Sequence, residues 1–319
     1  MKKILIRADG GEGAGFGHIM RTLVLAKELS QRFHISYVCL EDDRFINGIR
    51  KIEDEGFRVF KVKNNSEIED ILKLDGDFIL IDKYDIDKKY FEKLKEKFKV
   101  FYMDDNNKLD YYPVDLIINQ NVYGDMLKYN KSIDTKALVG GKYVLLRDEF
   151  INSTPITINK QIKDILITLG GSDDFNITES IIKNLLGLNI NLHVIIGPAF
   201  KFKETLKCYS DKNIIFYENA IISNVMKKVD MAISSCGSTI YELSFLGVPT
   251  IGIIVADNQK QCGQYMEKKE CIILKSNIDK SDIENFTYFH RLKLSNNMKK
   301  LIDGKGKYRI KEIIEKFDI

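Results

Sequence analysis

The stretch KILIRADGGEGAGFGHIMRTLVLAKEL, residues 3–29, joins an apolar run, a glycine-rich run and an amphipathic run in that order. The apolar run predicts a strand, Gly10–Gly17 a loop and His18–Gln31 a helix, because apolar residues recur at helical spacing after His18. The buried stripe of that helix is predicted to consist of Ile19, Leu23, Ala26 and Leu29. The order strand, glycine loop, helix is typical of α/β domains with a parallel sheet.

The same order returns in KDILITLGGSDDFNITESIIKNLL, which begins at residue 163. Around both stretches, apolar runs alternate with helical patterns: HISYVCL, RVFKV, DFILID, KVFYMDD and VDLIINQ in the first half, NLHVIIG, NIIFYE, DMAISS, VPTIGIIVA and ECIILK in the second. The polar segment INSTPITINK between the halves predicts a linker. We therefore expect two doubly wound, Rossmann-like domains facing a cleft, residues 1–152 and 161–319, with the last helix free to pack back on the first domain. This organisation resembles the GT-B glycosyltransferase class.

Composition excludes several classes of protein. The 319 residues carry 49 basic and 46 acidic side chains, a formal net charge of +3, so no basic stripe predicts a nucleic-acid partner. The start MKKILIRADGG has too short an apolar run for a signal peptide, and no run approaches a membrane span. The five cysteines form no C-x-x-C pair. We expect a reduced, cytoplasmic protein with no membrane contact and no obligate protein partner.

The glycine loop is not a dinucleotide fingerprint. Gly13, Gly15 and Gly17 follow a G-x-G-x-G spacing, which matches neither the G-x-G-x-x-G form nor a Walker loop. Such glycines allow another molecule to approach the backbone beside a helix N-terminus. His18 then lies at the mouth of the predicted cleft, although a first-turn histidine that only packs locally has the same sequence pattern. His34, His193 and His290 are predicted to be structural.

In the second half, SSCGSTIYEL follows a strand and opens a helix. Gly237, Ser238 and Thr239 offer N–H and hydroxyl donors to a diphosphate, and Glu242 offers an acceptor to ribose hydroxyls. The alternative is a capping box, because Thr239-x-x-Glu242 has that pattern. GGSDD, from Gly170 to Asp174, repeats the arrangement after the first strand of this half. ADNQKQ, from Ala256 to Gln261, either binds sugar groups or caps a helix.

Acidic residues follow two strands of the first half. Asp82 and Tyr84 end FILID, and Asp104 with Asp105 ends VFYMD. No third ligand lies at suitable spacing, so a metal site is not predicted. Arg7 and Asp9, two residues apart on one strand, either contact substrate or pair with each other.

Taken together, IRADGGEGAGFGHIMRTLVLAKEL, LIDKYDID, MDD, VLLRDEF, ILITLGGSD, SSCGSTIYELSFLGVPTIGI and DNQ resemble the UDP-2,4-diacetamido-2,4,6-trideoxy-β-L-altropyranose hydrolase family of pseudaminic acid biosynthesis, over residues 2 to about 265. GSTIYE also resembles the UDP-binding helix of the peptidoglycan N-acetylglucosaminyltransferase. The resemblance implies that His18 is catalytic. The predicted substrate-binding residues are Arg7, Asp9, Gly15, Gly17, Arg21, Asp82, Tyr84, Asp105, Arg147, Gly171, Ser172, Ser238, Thr239, Glu242, Asn258 and Gln259.

The resulting prediction is a UDP-sugar hydrolase that uses water as acceptor and needs neither cofactor nor metal. UDP is a good leaving group, so the chemistry calls for charge stabilisation at the diphosphate and a base near pH 7, for which histidine is suited. Two alternatives stay open at this point. One is a GT-B glycosyltransferase with a bound acceptor in place of water, and the other is a non-catalytic UDP-sugar sensor.

Overall fold

The chain forms two compact units, each built on one parallel sheet. The computed structural model describes residues 1–13, 15–197, 199–209, 213–218 and 220–318. Unit 1 consists of residues 1–147 and 305–319, and unit 2 of residues 148–304. The predicted pair of doubly wound α/β domains is confirmed. Among the described residues, no helix combines the length and apolarity needed to cross a bilayer.

Unit 1 has a seven-stranded sheet in the order β3-β2-β1-β4-β5-β6-β7. Its strands are β1 Lys3–Ala8, β2 His34–Leu40, β3 Arg58–Val62, β4 Phe78–Asp82, β5 Lys99–Met103, β6 Leu116–Asn119 and β7 Lys136–Val139. Its helices up to β5 are α1 Gly17–Leu29, α2 Ile46–Asp54, α3 Glu67–Lys73 and α4 Lys88–Leu94. All six strand pairs are parallel.

The apolar run of β1 follows from burial on both faces of this sheet. Ile4 and Ile6 join the core under α1, whereas Leu5 joins the core on the opposite face with Ile79 and Ile81 of β4. A strand buried on both faces needs apolar residues at successive positions rather than at alternate ones.

Unit 2 has a six-stranded parallel sheet in the order β10-β9-β8-β11-β12-β13. Its strands are β8 Asp164–Thr168, β9 Asn191–Ile195, β10 Ile214–Tyr217, β11 Met231–Ser235, β12 Thr250–Ile253 and β13 Ile272–Leu274. Its helices are α5 Asp148–Ile151, α6 Ile177–Leu185, α7 Lys203–Leu206, α8 Ile222–Met226, α9 Thr239–Leu246, α10 Lys260–Lys268, α11 Lys280–Glu284 and α12 Tyr288–Leu301.

Strand order defines one switch point in each sheet. In unit 1 the chain moves outward from β1 to β3 and then returns to place β4 on the other side of β1. In unit 2 the strands β8 and β11 have the same relation. Loops leaving the carboxyl ends of two such strands diverge, and the crevice between them is where open α/β sheets bind ligands.

The final helix, α13 Gly306–Glu315, belongs to unit 1 and packs on α1. Ile310 and Ile314 are fully buried in the unit 1 core. The buried Glu28 of α1 accepts a hydrogen bond from Lys311 at 2.9 Å and lies 3.3 Å from Lys307. A larger residue at position 306 would collide with backbone, since a Cβ there would lie 2.1 Å from the Val144 carbonyl oxygen.

The structure differs from the sequence expectations in three places. Unit 1 ends its first segment at Arg147 rather than at residue 152, and unit 2 begins at Asp148, whereas the last helix lies in unit 1, as the sequence analysis allowed. Strand β7 was not predicted, because its apolar run Ala137–Val139 is only three residues long and two of its four residues are exposed. Helix α1 ends at Leu29 instead of Gln31.

Candidate functional site

The glycine loop before α1 is a compact turn closed by its own backbone. Gly11 and Gly15 exchange two N–H···O bonds of 2.9 Å, and Gly15 has a φ of +69° that favours glycine. At position 11 a Cβ would lie 2.0 Å from the Arg44 carbonyl oxygen. The loop therefore fixes where α1 begins, at Gly17, and places His18 in its first turn at the switch point of unit 1.

His18 forms a short contact with the carboxylate that ends β4. Its Nδ1 lies 2.6 Å from Asp82 Oδ1 and 3.3 Å from Arg21 Nη2. Nδ1 cannot donate to the carboxylate and accept from the guanidinium at once. The contact with Asp82 is the shorter of the two, and a carboxylate oxygen can only accept a hydrogen bond. We therefore place a proton on Nδ1 of His18. In the neutral ring Nε2 is then an acceptor, and it has no partner among the described residues. The side chain is 12% exposed.

Arg21, one turn after His18, bridges two carboxylates from different strands. Its Nε and Nη2 donate to Asp82 at 2.6 and 2.5 Å. Its Nη1 and Nη2 donate to Asp105, which follows β5, at 2.8 and 2.9 Å. The planar guanidinium is suited to such paired contacts, and a lysine is not.

Asp105 collects further donors from the same edge of the sheet. Tyr84 donates its hydroxyl to Oδ2 at 2.6 Å, and its ring meets the His18 ring edge-on at 4.6 Å between centroids. Asn121, after β6, donates to Oδ1 at 2.9 Å. We call His18, Arg21, Asp82, Tyr84 and Asp105 the His18 cluster. The structure thus brings together five residues that the sequence analysis singled out separately.

The charges of the cluster are fixed by mutual pairing. Burial alone raises the pKa of the Asp82 carboxyl, but Arg21 and His18 outweigh it and hold the pKa below its ordinary value. For Asp105 the same balance of burial against Arg21 lowers the pKa to about 2. Burial, followed by the Asp105 carboxylate, raises the pKa of the Tyr84 phenol. At neutral pH the cluster holds two carboxylates, one guanidinium and a neutral phenol.

Asn121 was missed by the sequence analysis. It follows the strand run VDLIINQ at the same sheet edge as Asp82 and Asp105, and this position is the signal that identifies it. Asp104 lies apart from the cluster, since Tyr129 donates to its carboxylate at 2.6 Å and the Asn107 backbone at 2.7 Å. Burial raises the pKa of Asp104. Only Asp105 of the adjacent pair therefore joins the cluster.

Arg7 and Asp9 lie on the other face of the sheet. Arg7 is fully buried, with Nη1 2.7 Å from Asp9 and Nε 2.8 Å from Glu67. Glu67 also accepts from Lys83 and Tyr90, both at 2.6 Å. The pairing of Arg7 with Asp9, one of the two alternatives from the sequence, is present. Glu67 was missed, because a single acidic residue in a polar helix carries no signal.

The remaining predicted residues of unit 1 lie outside the His18 cluster. Gly15 and Gly17 are exposed, with open space where a Cβ would be, which leaves the loop backbone accessible. Arg147 is half-buried and ends the first segment of unit 1, just ahead of α5. Substrate contact by these three residues stays a prediction.

A cavity of about 330 Å³ lies at the switch point of unit 2. Five predicted residues line it: Gly171, Ser172, Ser238, Thr239 and Gln259. Exposed Phe175 also contributes to the lining and was missed by the sequence analysis. We call this the unit 2 cavity.

Two helices begin at this cavity, and their N-termini differ. The Asp173 carboxylate accepts hydrogen bonds from the backbone N–H groups of Ile177 and Thr178, at 2.9 and 2.7 Å. Its negative charge therefore occupies the positive N-terminal end of α6. Helix α9 has Ser238 at its N-cap, with no side-chain capping bond. The capping box suggested for Thr239 and Glu242 is therefore wrong, because Thr239 is already helical and cannot be the N-cap.

Gln259 links the two loops behind the open end of α9. Its Oε1 accepts from the backbone N–H groups of Cys236 and Val255, both at 3.2 Å. With the oxygen engaged, the Nε2 amide is left as a donor beside Gly237. Glu242 lies one turn into α9 and is half-buried, and Asn258 is exposed outside the residues that line the cavity.

Comparisons with known proteins agree with the fold. Residues 165–308 match the glycosyltransferase family 28 C-terminal domain. Acinetobacter baumannii MurG has a similar structure, with a TM-score of 0.69 at 13% identity, covering 99% of this chain and 100% of that one. The chain has the GT-B fold.

The relatives in sequence include a named UDP-sugar hydrolase and an uncharacterized protein. The UDP-2,4-diacetamido-2,4,6-trideoxy-β-L-altropyranose hydrolase of Campylobacter jejuni is 27% identical over 276 residues, which are 84% of this chain and 97% of that protein. An uncharacterized protein of Methanocaldococcus jannaschii, MJ1062, is 32% identical over 285 residues, 83% of this chain. The chain spans only 58% of the length of that archaeal relative. The resemblance to the hydrolase family drawn from the motifs is confirmed.

Proposed function

We propose that this protein hydrolyses a UDP-linked diacetamido-trideoxy-hexose, the altrose derivative of pseudaminic acid biosynthesis, and releases UDP. The observation that carries the proposal is the contact of 2.6 Å between His18 Nδ1 and Asp82. It leaves Nε2 as the proton acceptor of the imidazole, in a side chain that solvent reaches. Similarity to the Campylobacter hydrolase supplies the substrate class.

In the proposed reaction His18 is the general base. A water donates a proton to Nε2 while its oxygen attacks the anomeric carbon, and Asp82 stabilises the imidazolium that forms. The bond between the anomeric carbon and the phosphate-linked oxygen breaks, and its electron pair leaves with UDP. Water attack from the side opposite UDP inverts the anomeric configuration.

Unit 2 is proposed to bind UDP. The diphosphate fits the open N-terminus of α9, where the N–H groups of Ser238 and Thr239 have no acceptor among the described residues. It does not fit α6, because Asp173 already occupies the N-terminus of that helix. Glu242 is proposed to accept from ribose hydroxyls. Because these N–H donors stabilise the charge on leaving UDP, turnover is proposed to persist in EDTA.

The deciding experiment is incubation with a panel of UDP-sugars, with UDP release followed by NMR in the presence and absence of acceptor alcohols. Release that needs no acceptor supports the hydrolase. Release only with an acceptor supports the second candidate, a glycosyltransferase, which the family 28 domain match favours. Binding without any release supports a sensor.

The bond that breaks is tested in ¹⁸O water. Attack at carbon places the label in the sugar, read by mass spectrometry before the anomeric oxygen exchanges. Label in UDP would mean attack at phosphorus and would overturn the mechanism while leaving the substrate class intact.

A further inference from the structure

Arg21 holds an unusual position relative to the proposed base. Its guanidinium lies 3.3 Å from His18 Nδ1 and bonds the carboxylate that His18 contacts. Three of its nitrogens are engaged by Asp82 and Asp105. Its side chain is only 12% exposed, and its donors face protein carboxylates rather than a ligand.

The charges around His18 show what such a residue does. Two carboxylates, Asp82 from β4 and Asp105 beyond β5, act on the imidazole, and the neutral Tyr84 hydroxyl completes the surroundings. Two buried anions near an imidazole favour its protonated form, in which it is no base. Arg21 supplies one permanent positive charge between them.

We infer that Arg21 is a positioning residue that acts on His18 through Asp82 and Asp105: it fixes the orientation of the imidazole and offsets one of the two carboxylate charges that favour the protonated ring. This inference rests on the proposed function only for its kinetic consequence. Its electrostatic part concerns the free protein.

Charge and geometry are separable by substitution. Arg21→Lys keeps the positive charge and loses the paired hydrogen bonds of the guanidinium to Asp82 and Asp105, whereas Arg21→Gln loses both the charge and these bonds. Asp105→Asn removes one carboxylate and leaves Arg21 paired with Asp82. Arg50→Gln is the matched control, since Arg50 is exposed on α2.

The test is a pH titration of the His18 ring signals by NMR in the free protein, assigned with His18→Asn. Relative to wild type, we expect the midpoint to rise by about one pH unit in Arg21→Gln, to fall in Asp105→Asn, and to stay unchanged in Arg21→Lys and Arg50→Gln. If Arg21→Gln does not fold, the double variant Arg21→Gln with Asp105→Asn decides, because it removes one charge of each sign and its midpoint should lie above that of Asp105→Asn. A midpoint that moves in neither Arg21→Gln nor Asp105→Asn overturns the inference.

Kinetics tests the orienting part. For Arg21→Lys we expect kcat to fall at least about 10-fold with KM within about two-fold of wild type, because only alignment is lost. An unchanged kcat overturns the orienting role. If wild type releases UDP from no sugar, the proposed function fails, and the NMR midpoints still test the charge effect.

Discussion

Among the described residues, the His18 side chain has one short hydrogen bond, one ring contact and a longer contact of 3.3 Å with Arg21, and this limits what its removal does to the fold. Its side chain contributes little apolar burial, so substitution affects chemistry more than stability. Substitution of His18 therefore tests the proposed reaction directly.

We expect His18→Asn to keep the melting temperature and the affinity for UDP while lowering kcat by about 10² to 10⁴, the usual loss for a general base. Steady-state UDP release and calorimetry measure these quantities. His34→Asn, at an exposed histidine at the start of β2, is the control and should match wild type. Activity within a few-fold of wild type for His18→Asn would leave the histidine only a packing role.

The low pKa of Asp105, about 2 against an ordinary 3.8, makes the free energy of unfolding depend on pH. Because the folded-state pKa is lowered, the stabilisation is complete above about pH 4 and is lost as pH falls toward 2. We expect the free energy of unfolding of wild type to exceed that of Asp105→Asn by about 2 kcal/mol at pH 6. We expect this difference to shrink as the pH falls from about 4 toward 2.

Urea unfolding at a series of pH values measures this difference. Asp42→Asn is the comparison, since the exposed pair of Asp42 with Arg44 is screened by solvent and should show a much smaller pH effect. A constant gap between wild type and Asp105→Asn from pH 6 to pH 2 would contradict the assigned charge state.

At the scale of single elements, α9 combines a fully buried rear face with an open N-terminus. Ile240, Leu243 and Leu246 are buried in unit 2, so packing holds the helix without a side-chain cap. The first-turn N–H groups are thereby left for a ligand. Helix α11 is the contrast, because Asp279 and Asp282 close its N-terminus with a complete capping box.

This contrast predicts opposite outcomes for two cap substitutions. Ser238→Ala should change the free energy of unfolding by less than about 0.5 kcal/mol and weaken UDP binding several-fold, since its hydroxyl caps nothing. Asp279→Ala should cost about 1 kcal/mol and leave UDP binding unchanged. Urea unfolding and UDP calorimetry measure both. If Ser238→Ala is destabilised and keeps its full affinity for UDP, Ser238 caps the helix and does not bind UDP.

For the whole molecule, the last fifteen residues matter because they complete unit 1 after the chain has built unit 2. The stabilising contacts are the fully buried Ile310 and Ile314 and the lysines that pair with Glu28. Unit 1 is therefore not a continuous segment of sequence, and its stability depends on residues that follow unit 2 in the chain.

Ile310→Ala should destabilise the protein by about 2–5 kcal/mol, the usual cost of emptying a fully buried isoleucine site. Ile133→Ala is the matched control: Ile133 is 95% exposed in the same unit, and its loss should cost less than about 0.5 kcal/mol. Thermal unfolding measures both. Equal effects would mean that α13 does not support the core.

The sequence by itself determined the two parallel-sheet domains and the position of His18. Strands buried on both faces appear as continuous apolar runs, and glycine loops mark where helices begin, so both signals are local. The edge strand β7 was not predicted because its apolar run has only three residues.

Only the tertiary structure decided the partners of the polar residues. Arg7 in β1 and Arg21 in α1 are both arginines within the first βα unit of the chain. Arg7 is nevertheless buried on one face of the sheet, whereas Arg21 lies beside the proposed base on the other face. The carboxylates of Arg21 are 61 and 84 positions away in the chain. Which strand ends come together depends on strand order, and strand order is set by packing of the whole unit rather than by any local pattern.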